Sequence, residues 1–232
     1  MPLRFAGSGT VSRDPVHHPL FARYYARASV AAETRMGLGG VRGRLLAGLS
    51  GRVIEIGAGN GLNFAHYPST VSEVVAIEPE RRLRQLATEA ALRAEVPVDV
   101  VPGAAEALPV KSEAFDAAVV SLVLCSVRDV PRALAELRRV LRPGGTLRFF
   151  EHGTGGGRMM TYTQRGLDLT VWPRLAGGCH LARDPIAALR DAGFELGPYQ
   201  RLLLPEKGPR LPTSYCVLGT ARRPRTRVDG AS

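Results

Sequence analysis

The sequence predicts an α/β fold: a seven-stranded, mostly parallel sheet with helices on both faces and an antiparallel last strand. Three observations predict it. From residue 41 onward, short apolar runs alternate with helical repeats, the pattern of strands joined by crossover helices. The first run, Val53-Ile54-Glu55-Ile56, passes without a break into Gly57-Ala58-Gly59-Asn60-Gly61. The second, Val74-Val75-Ala76-Ile77, ends in an acid, Glu78, 23 residues after Glu55.

Residues 1–16, rich in Gly, Ser and Pro, read as a lead-in. Over residues 19–36, Leu20, Phe21, Tyr24, Tyr25, Ala28 and Ala31 share one helical face. This helix can cover the ligand side of the sheet, pack as an ordinary helix, or rest on a membrane surface. Strands are expected at 52–56, 74–77, 98–101, 115–124 and 146–151, where β-branched and other apolar residues concentrate. A helix over 80–94 turns Leu83, Leu86, Ala87 and Ala90 inward. Another over 131–141 is stopped by Arg142-Pro143-Gly144-Gly145. The rhythm breaks over residues 153–183, an insert holding Gly155-Gly156-Gly157 and a short segment around 164–172. A helix over 185–192 follows. Strands at 194–204 and 214–221 can pair as a hairpin at the sheet edge. The expected organisation is a lead-in and covering helix over 1–40, one domain over 41–221, and a basic tail over 222–232.

A chain of 232 residues, 45% of them hydrophobic, can bury one sizeable core. Cys125, Cys179 and Cys216 are widely spaced and form no C-x-x-C, which suggests neither a zinc site nor a disulfide framework. Cys179-His180 offers two adjacent ligands without spaced partners, so no metal is expected. A reducing, cytoplasmic setting is the default. No apolar run reaches the ~18 residues of a membrane span, and no apolar signal core is expected at the N-terminus. The net charge is +10, and only Lys111 and Lys207 among the 31 basic residues are lysines. Part of the arginine excess lies in Arg222-Arg223-Pro224-Arg225-Thr226-Arg227, read as a solvated end with only non-specific attraction for nucleic acid or anionic lipid.

The glycine run narrows the ligand. Glycines let the backbone pass close beneath a bound molecule. The spacing is G-x-G-x-G, whereas a dinucleotide fingerprint needs G-x-G-x-x-G, whose third glycine would fall at Leu62. Glu55 ahead of the loop suits a cationic amino group, and Glu78 suits a ribose, whose vicinal hydroxyls a carboxylate can accept. A ligand with an ammonium, an adenosine and no phosphate satisfies all three. The segment Glu55–Gly61 resembles the first motif of the class I S-adenosylmethionine-dependent methyltransferases, whose Rossmann-like fold is the one expected here. The resemblance implies that Glu55, Gly57, Ala58, Gly59, Asn60, Gly61 and Asn63 around the loop hold S-adenosyl-L-methionine. It adds Glu78 and Pro79 after the second strand, Ala105 and Glu106 beside the adenine, and Ser121 and Leu122 after the fourth strand.

The segment Ser121–Val127 faces the reacting methyl in such folds. It carries neither the Asn/Asp-Pro-Pro-aromatic run of enzymes acting on base amines nor the Pro-Cys of those acting on cytosine carbon. A small-molecule acceptor is therefore expected rather than a specific nucleic acid. His152 ends the fifth strand, and histidine is the side chain best suited to take a proton near neutral pH. Asp168, in the insert, is expected to orient it. Taken together, residues 50–205 resemble the thiol methyltransferase-like group within the type 11 methyltransferases. Its marks are Asn63–Pro68, Leu122–Val127, Arg139–Gly145, Glu151-His152, and Gln164, Asp168, Trp172 and Gly178-Cys179. The resemblance implies a small thiol as acceptor first and a lipid or quinone-like acceptor second. Animal members carry an apolar N-terminal anchor, which is not expected here.

Overall fold

The computed structural model describes residues 19–225. Two helices lead in, α1 (Pro19–Met36) and α2 (Leu38–Leu46). Then come β1 (Gly51–Ile56), β2 (Val71–Ile77), α3 (Arg81–Ala91) and β3 (Val98–Val101). They are followed by β4 (Phe115–Ser121), α4 (Val130–Val140) and β5 (Leu141–His152). Two helices, α5 (Gly157–Asp168) and α6 (Trp172–Leu175), fill most of the insert. The chain closes with α7 (Pro185–Asp191), β6 (Glu195–Leu203) and β7 (Tyr215–Arg222).

The seven strands lie in the order β3-β2-β1-β4-β5-β7-β6. Strands β1 to β5 run parallel, while β7 is antiparallel to both β5 and β6. The fold class is as the sequence predicts, and the last two strands form the expected edge hairpin. A parallel sheet covered on both faces needs apolar residues at successive positions. Accordingly Ile54 and Ile56 pack with Phe149, Leu134 and Leu137 on one face. Val53 packs with Leu45, Phe64 and Phe150 on the other. Burying each such side chain contributes roughly 1.5–3 kcal/mol, so the two layers fix the register of the central strands.

Acid side chains start three of the helices. Glu80 accepts from Leu83 N, Asp129 from Arg132 N, and Asp184 from the amides of Ile186 and Ala187. Several limits differ from the sequence reading. The fourth strand stops at Ser121 rather than Leu124, because Leu122 takes a left-handed conformation (φ 59°) as its amide donates to Phe150 O. The helix expected over 80–94 ends at Ala91 in a turn closed by Arg93 N and Ala94 N. The fifth strand starts five residues early, at Leu141. Phe115 pairs with Leu141 and Ala117 with Thr146, so Arg142–Gly145 bulge out of the ladder. Helix α2 was not foreseen, since Gly39, Gly40 and Gly43 mask its apolar repeat. It spans the boundary expected between residues 40 and 41. Arg222 belongs to β7, and Arg223 donates to Arg138 O and to Glu113, so the basic tail begins later than 222. Residues 1–18 and 226–232, including all of the lead-in over 1–16 and the end of the tail, lie outside the described residues. Among the described residues, no helix is long and apolar enough to cross a membrane.

Candidate active site

In an open parallel sheet the ligand lies beyond the carboxyl ends of the strands, where the strand order reverses. Here that point is between β1 and β4, and the glycine loop sits on it. Gly57 N and Ala58 N both donate to Ile77 O, tying the loop to the end of β2. Gly57 has φ 66°, and a Cβ there would stand 2.6 Å from Val123 Cγ2. Gly59 donates its amide to Glu78 Oε2 at 2.7 Å, and Glu80 N donates to Glu78 Oε1 at 2.9 Å. Glu78 is buried, and burial pushes its carboxyl up to about 7 against the two amide bonds. Helix α1 lies over this loop. Asn60 Nδ2 donates to Ser29 Oγ at 3.1 Å, and a Cβ on Gly59 would meet the Tyr25 ring at 3.4 Å.

Glu55 is buried, and both its oxygens are engaged within the protein. Asn63 Nδ2 donates to one at 2.8 Å and the Tyr67 hydroxyl to the other at 2.7 Å. Burial raises its pKa, opposed by those two bonds. Asn63 in turn accepts from Arg42 Nη1 at 2.6 Å, and Arg42 Nε pairs with Glu33 of α1. The expected partner for Glu55 was a ligand ammonium. The observed partners make Glu55 and Asn63 the buried link between α1, α2 and the loop. In the loops after β3 and β2, Ala105 is buried and Pro79 O accepts from Arg84. Glu106 accepts from Arg128 N at 3.0 Å and joins the loop after β3 to that after β4. Ser121 and Leu122 stand where β4 ends.

The second half of the site is built from three separated segments. Glu151, fully buried, accepts from Val123 N, Leu124 N and Cys125 N, and so shapes the turn after β4. His152, half-buried, follows it. The loop at residues 177–181 is stitched to the same turn, as His180 N donates to Cys125 O at 2.7 Å. Arg183 adds two bonds, to Leu124 O and Val127 O. Asp168 accepts from Leu181 N at 2.7 Å and Ala182 N at 2.9 Å, and so anchors this loop instead of bonding His152 directly. The result brings Cys179 Sγ to 3.4 Å from His152 Nδ1, with the ligand atoms of Cys125, His152 and Cys179 all within 4.8 Å of one another. Burial lowers the His152 pKa, but the Cys125 hydrogen bond and the nearby Cys125, Glu151 and Asp168 charges outweigh it, and the net direction is upward. The Cys125 thiol is held well above its ordinary value by its bond to Cys179 and by burial. A cavity of about 730 Å³, with Val130, Pro131, Leu134 and Ala188 on its walls, reaches Cys125 and His152 from between α4 and α7.

Residues 54–149 match the family model described as a methyltransferase domain. The human thiol S-methyltransferase TMT1B is 32% identical over 183 residues, spanning 76% of this chain and 73% of the relative. The chain belongs to the class I S-adenosylmethionine-dependent methyltransferases. Its cofactor is S-adenosylmethionine, and it is an enzyme. A ubiquinone/menaquinone biosynthesis C-methyltransferase from Syntrophotalea carbinolica is 31% identical over 170 residues, 68% of this methyltransferase and 70% of the relative. Among solved structures, a possible histamine N-methyltransferase from Thermotoga maritima superposes with a TM-score of 0.62 at 23% identity, over 88% of this chain and 98% of the other, and shares the fold.

At Gly59 it is the left-handed backbone (φ 59°) that favours glycine, since an added Cβ would make only ordinary contact with the Tyr25 ring at 3.4 Å, and the buried Glu78 carboxyl accepts from its amide. Sequence reading missed three contributors. Glu151 was passed over for its neighbour His152, although a charged residue ending an apolar strand is itself a signal. Tyr25 was read only as one apolar position of a helix. Cys179 meets Cys125 and His152 only in three dimensions, so no spacing could reveal it.

Proposed function

We propose that this methyltransferase transfers the methyl group to a small, largely apolar thiol. The observation that carries the reading is the cavity reaching His152 and Cys125, whose lining is mostly apolar but also includes Arg138, Arg183, Asp184 and Asp191, beside a proton acceptor. The human thiol S-methyltransferase relative supports it. Gly57 to Gly61 with Asn63 and Glu78 with Pro79 would hold S-adenosylmethionine, with Ala105 and Glu106 beside its adenine and Ser121 and Leu122 beneath it. Bound there, the cofactor supplies an electrophilic methyl on a positively charged sulfur. What remains for the protein is to seat the acceptor, exclude water and remove one proton. A free thiol has a pKa near 8.5, so it needs only modest help. His152 takes that proton. Asp168 acts as a positioning residue through the loop it anchors. Glu55 supports the loop from beneath.

A panel of small thiols, phenols, hydroquinones, amines and lipids, read by S-adenosylhomocysteine formation, tests the reading. Thiols should turn over fastest. His152→Ala should lower turnover at the small end of the ~10²–10⁴-fold range for a lost general base, with cofactor affinity unchanged. The deficit should shrink as pH approaches the thiol pKa, since free thiolate then replaces the base. Asp168→Ala should show the same pH trend. A deficit independent of pH would remove the proton-transfer role. The second reading, a quinone-like acceptor, is favoured by the quinone-biosynthesis relative. Turnover of hydroquinones alone would establish it and displace the first.

A further inference from the structure

One cluster in the acceptor half exceeds what the proposed reaction needs: two thiols and an imidazole, from three distant segments, converging on one point. Proton removal from an acceptor requires His152 and neither cysteine. Yet both loops carrying the cysteines are fixed by hydrogen bonds. Cys125 sits in the turn that Glu151 holds by three amides, with its own amide 3.2 Å from Glu151 Oε2. Cys179 sits in the loop that Asp168, the His180 amide and Arg183 tie down. Gly178 has φ 90°, and a Cβ there would stand 2.9 Å from Ser126 O, so close passage of the two loops requires glycine.

We propose that Cys125, His152 and Cys179 form a three-ligand site for a thiophilic d¹⁰ cation of the Zn²⁺ class, and that filling it shuts down the acceptor pocket. Geometry is the first support. Tetrahedral zinc with Zn–S near 2.3 Å and Zn–N near 2.0 Å sets a sulfur-to-nitrogen edge of about 3.5 Å. The observed Cys179 Sγ to His152 Nδ1 distance is 3.4 Å, and the Cys125 sulfur lies within 4.8 Å of both. The donor set is the second. Two thiolates and an imidazole select soft or borderline metals over calcium or magnesium. Charge is the third. As two Zn–S bonds form, two thiol protons leave to solvent, and the Zn(Cys)₂(His) unit carries no net charge, which suits a buried place. Preorganisation is the fourth, since the backbone bonds above hold the ligands before any metal arrives.

The consequence for turnover rests on the role given to His152 under the proposed function. Ligation occupies His152 Nδ1 and places a cation at the end of the cavity that reaches Cys125. Zinc should therefore inhibit, and a chelator should restore activity.

The binding test needs no acceptor. Titration of the metal-free enzyme with Co²⁺ should give a thiolate-to-cobalt absorption band that saturates at about one equivalent, with tetrahedral visible bands. Cys125→Ser and Cys179→Ser should each lose most of that band, and His152→Ala should weaken binding at least tenfold. Cys216→Ser should leave it intact. X-ray absorption of the wild-type zinc form should show two sulfur neighbours and an imidazole, which keeps the test valid should a variant fail to fold. An oxygen-only shell, no cobalt–thiolate band, or a band that depends on Cys216 and survives the Cys125→Ser/Cys179→Ser double variant would overturn the site. Zinc that raises S-adenosylhomocysteine formation with a thiol would overturn the shutting of the pocket. Should no thiol be turned over at all, the proposed function fails while the cobalt spectrum still decides the site.

Discussion

At Glu78 the proposed ribose contact and a pH-dependent contribution to stability meet. Its two oxygens accept from Gly59 N and Glu80 N, and a bound ribose would find its acceptor there. Glu78→Ala removes one or two charge-assisted bonds worth roughly 1.5–3 kcal/mol each, so cofactor affinity should fall by about ten- to several-hundredfold, read by calorimetry. Unchanged affinity would take the ribose away from this residue. The same carboxyl is raised from 4.5 to about 7 by burial. Below the lower value it is protonated in folded and unfolded chains alike. As pH rises, the unfolded chain sheds the proton first, and the folded state loses stability until pH passes about 7. The full loss is about 3 kcal/mol. Denaturant unfolding of the cofactor-free enzyme should therefore show its stability falling, relative to Glu78→Ala, by about 2–3 kcal/mol between pH 5 and pH 8. A constant difference would mean that Glu78 is ionised throughout.

At the scale of elements, glycine serves two opposite purposes. In the loop after β1, Gly57 is demanded by φ 66° and by Val123 Cγ2 at 2.6 Å from any added Cβ. Gly57→Ala should cost at least about 1–2 kcal/mol from the backbone alone. Because Val123 belongs to the turn held by Glu151, cofactor affinity and turnover should fall together. In α2, Gly43 has nothing within 4 Å of an added Cβ and an ordinary φ. Gly43→Ala should stabilise by roughly 0.5–1 kcal/mol in the same denaturant unfolding assay, with activity unchanged. Destabilisation there would mean that α2 needs its glycines for approach. This contrast explains what the sequence made legible. The strands, the glycine loop and Glu78 were readable because burial on both faces and a close turn leave local marks. Helix α2 was not, since its glycines carry the marks of a loop. The Glu55–Asn63–Arg42–Glu33 chain and the Cys125–His152–Cys179 cluster were not, because each joins residues that no local period connects.

For the molecule as a whole, the +10 charge is spread through the chain, but its arginines do not all stand free. Arg139 is bound to Glu136, Arg42 to Glu33, and Arg223 to Glu113 and to the carbonyls of Arg138 and Leu141. Such residues hold helix and strand ends together and are poorly placed to neutralise phosphates. Arg222 likewise ends β7, paired with Thr146. A truncation starting at residue 222 would therefore damage the sheet as well as remove charge. Deleting 226–232 leaves β7 and the Arg223 bonds in place. Any affinity for nucleic acid should be weak, indifferent to sequence and steeply weakened by salt, as counterion release requires. The shorter deletion should reduce it and leave methyl transfer and thermal stability as they were, whereas deletion from 222 should lower stability. Fluorescence anisotropy with two unrelated oligonucleotides across a salt series, beside a turnover assay, separates these outcomes. Sequence-selective binding that persists in the shorter deletion and resists salt would place a nucleic-acid surface on the folded domain, and with it a different class of acceptor.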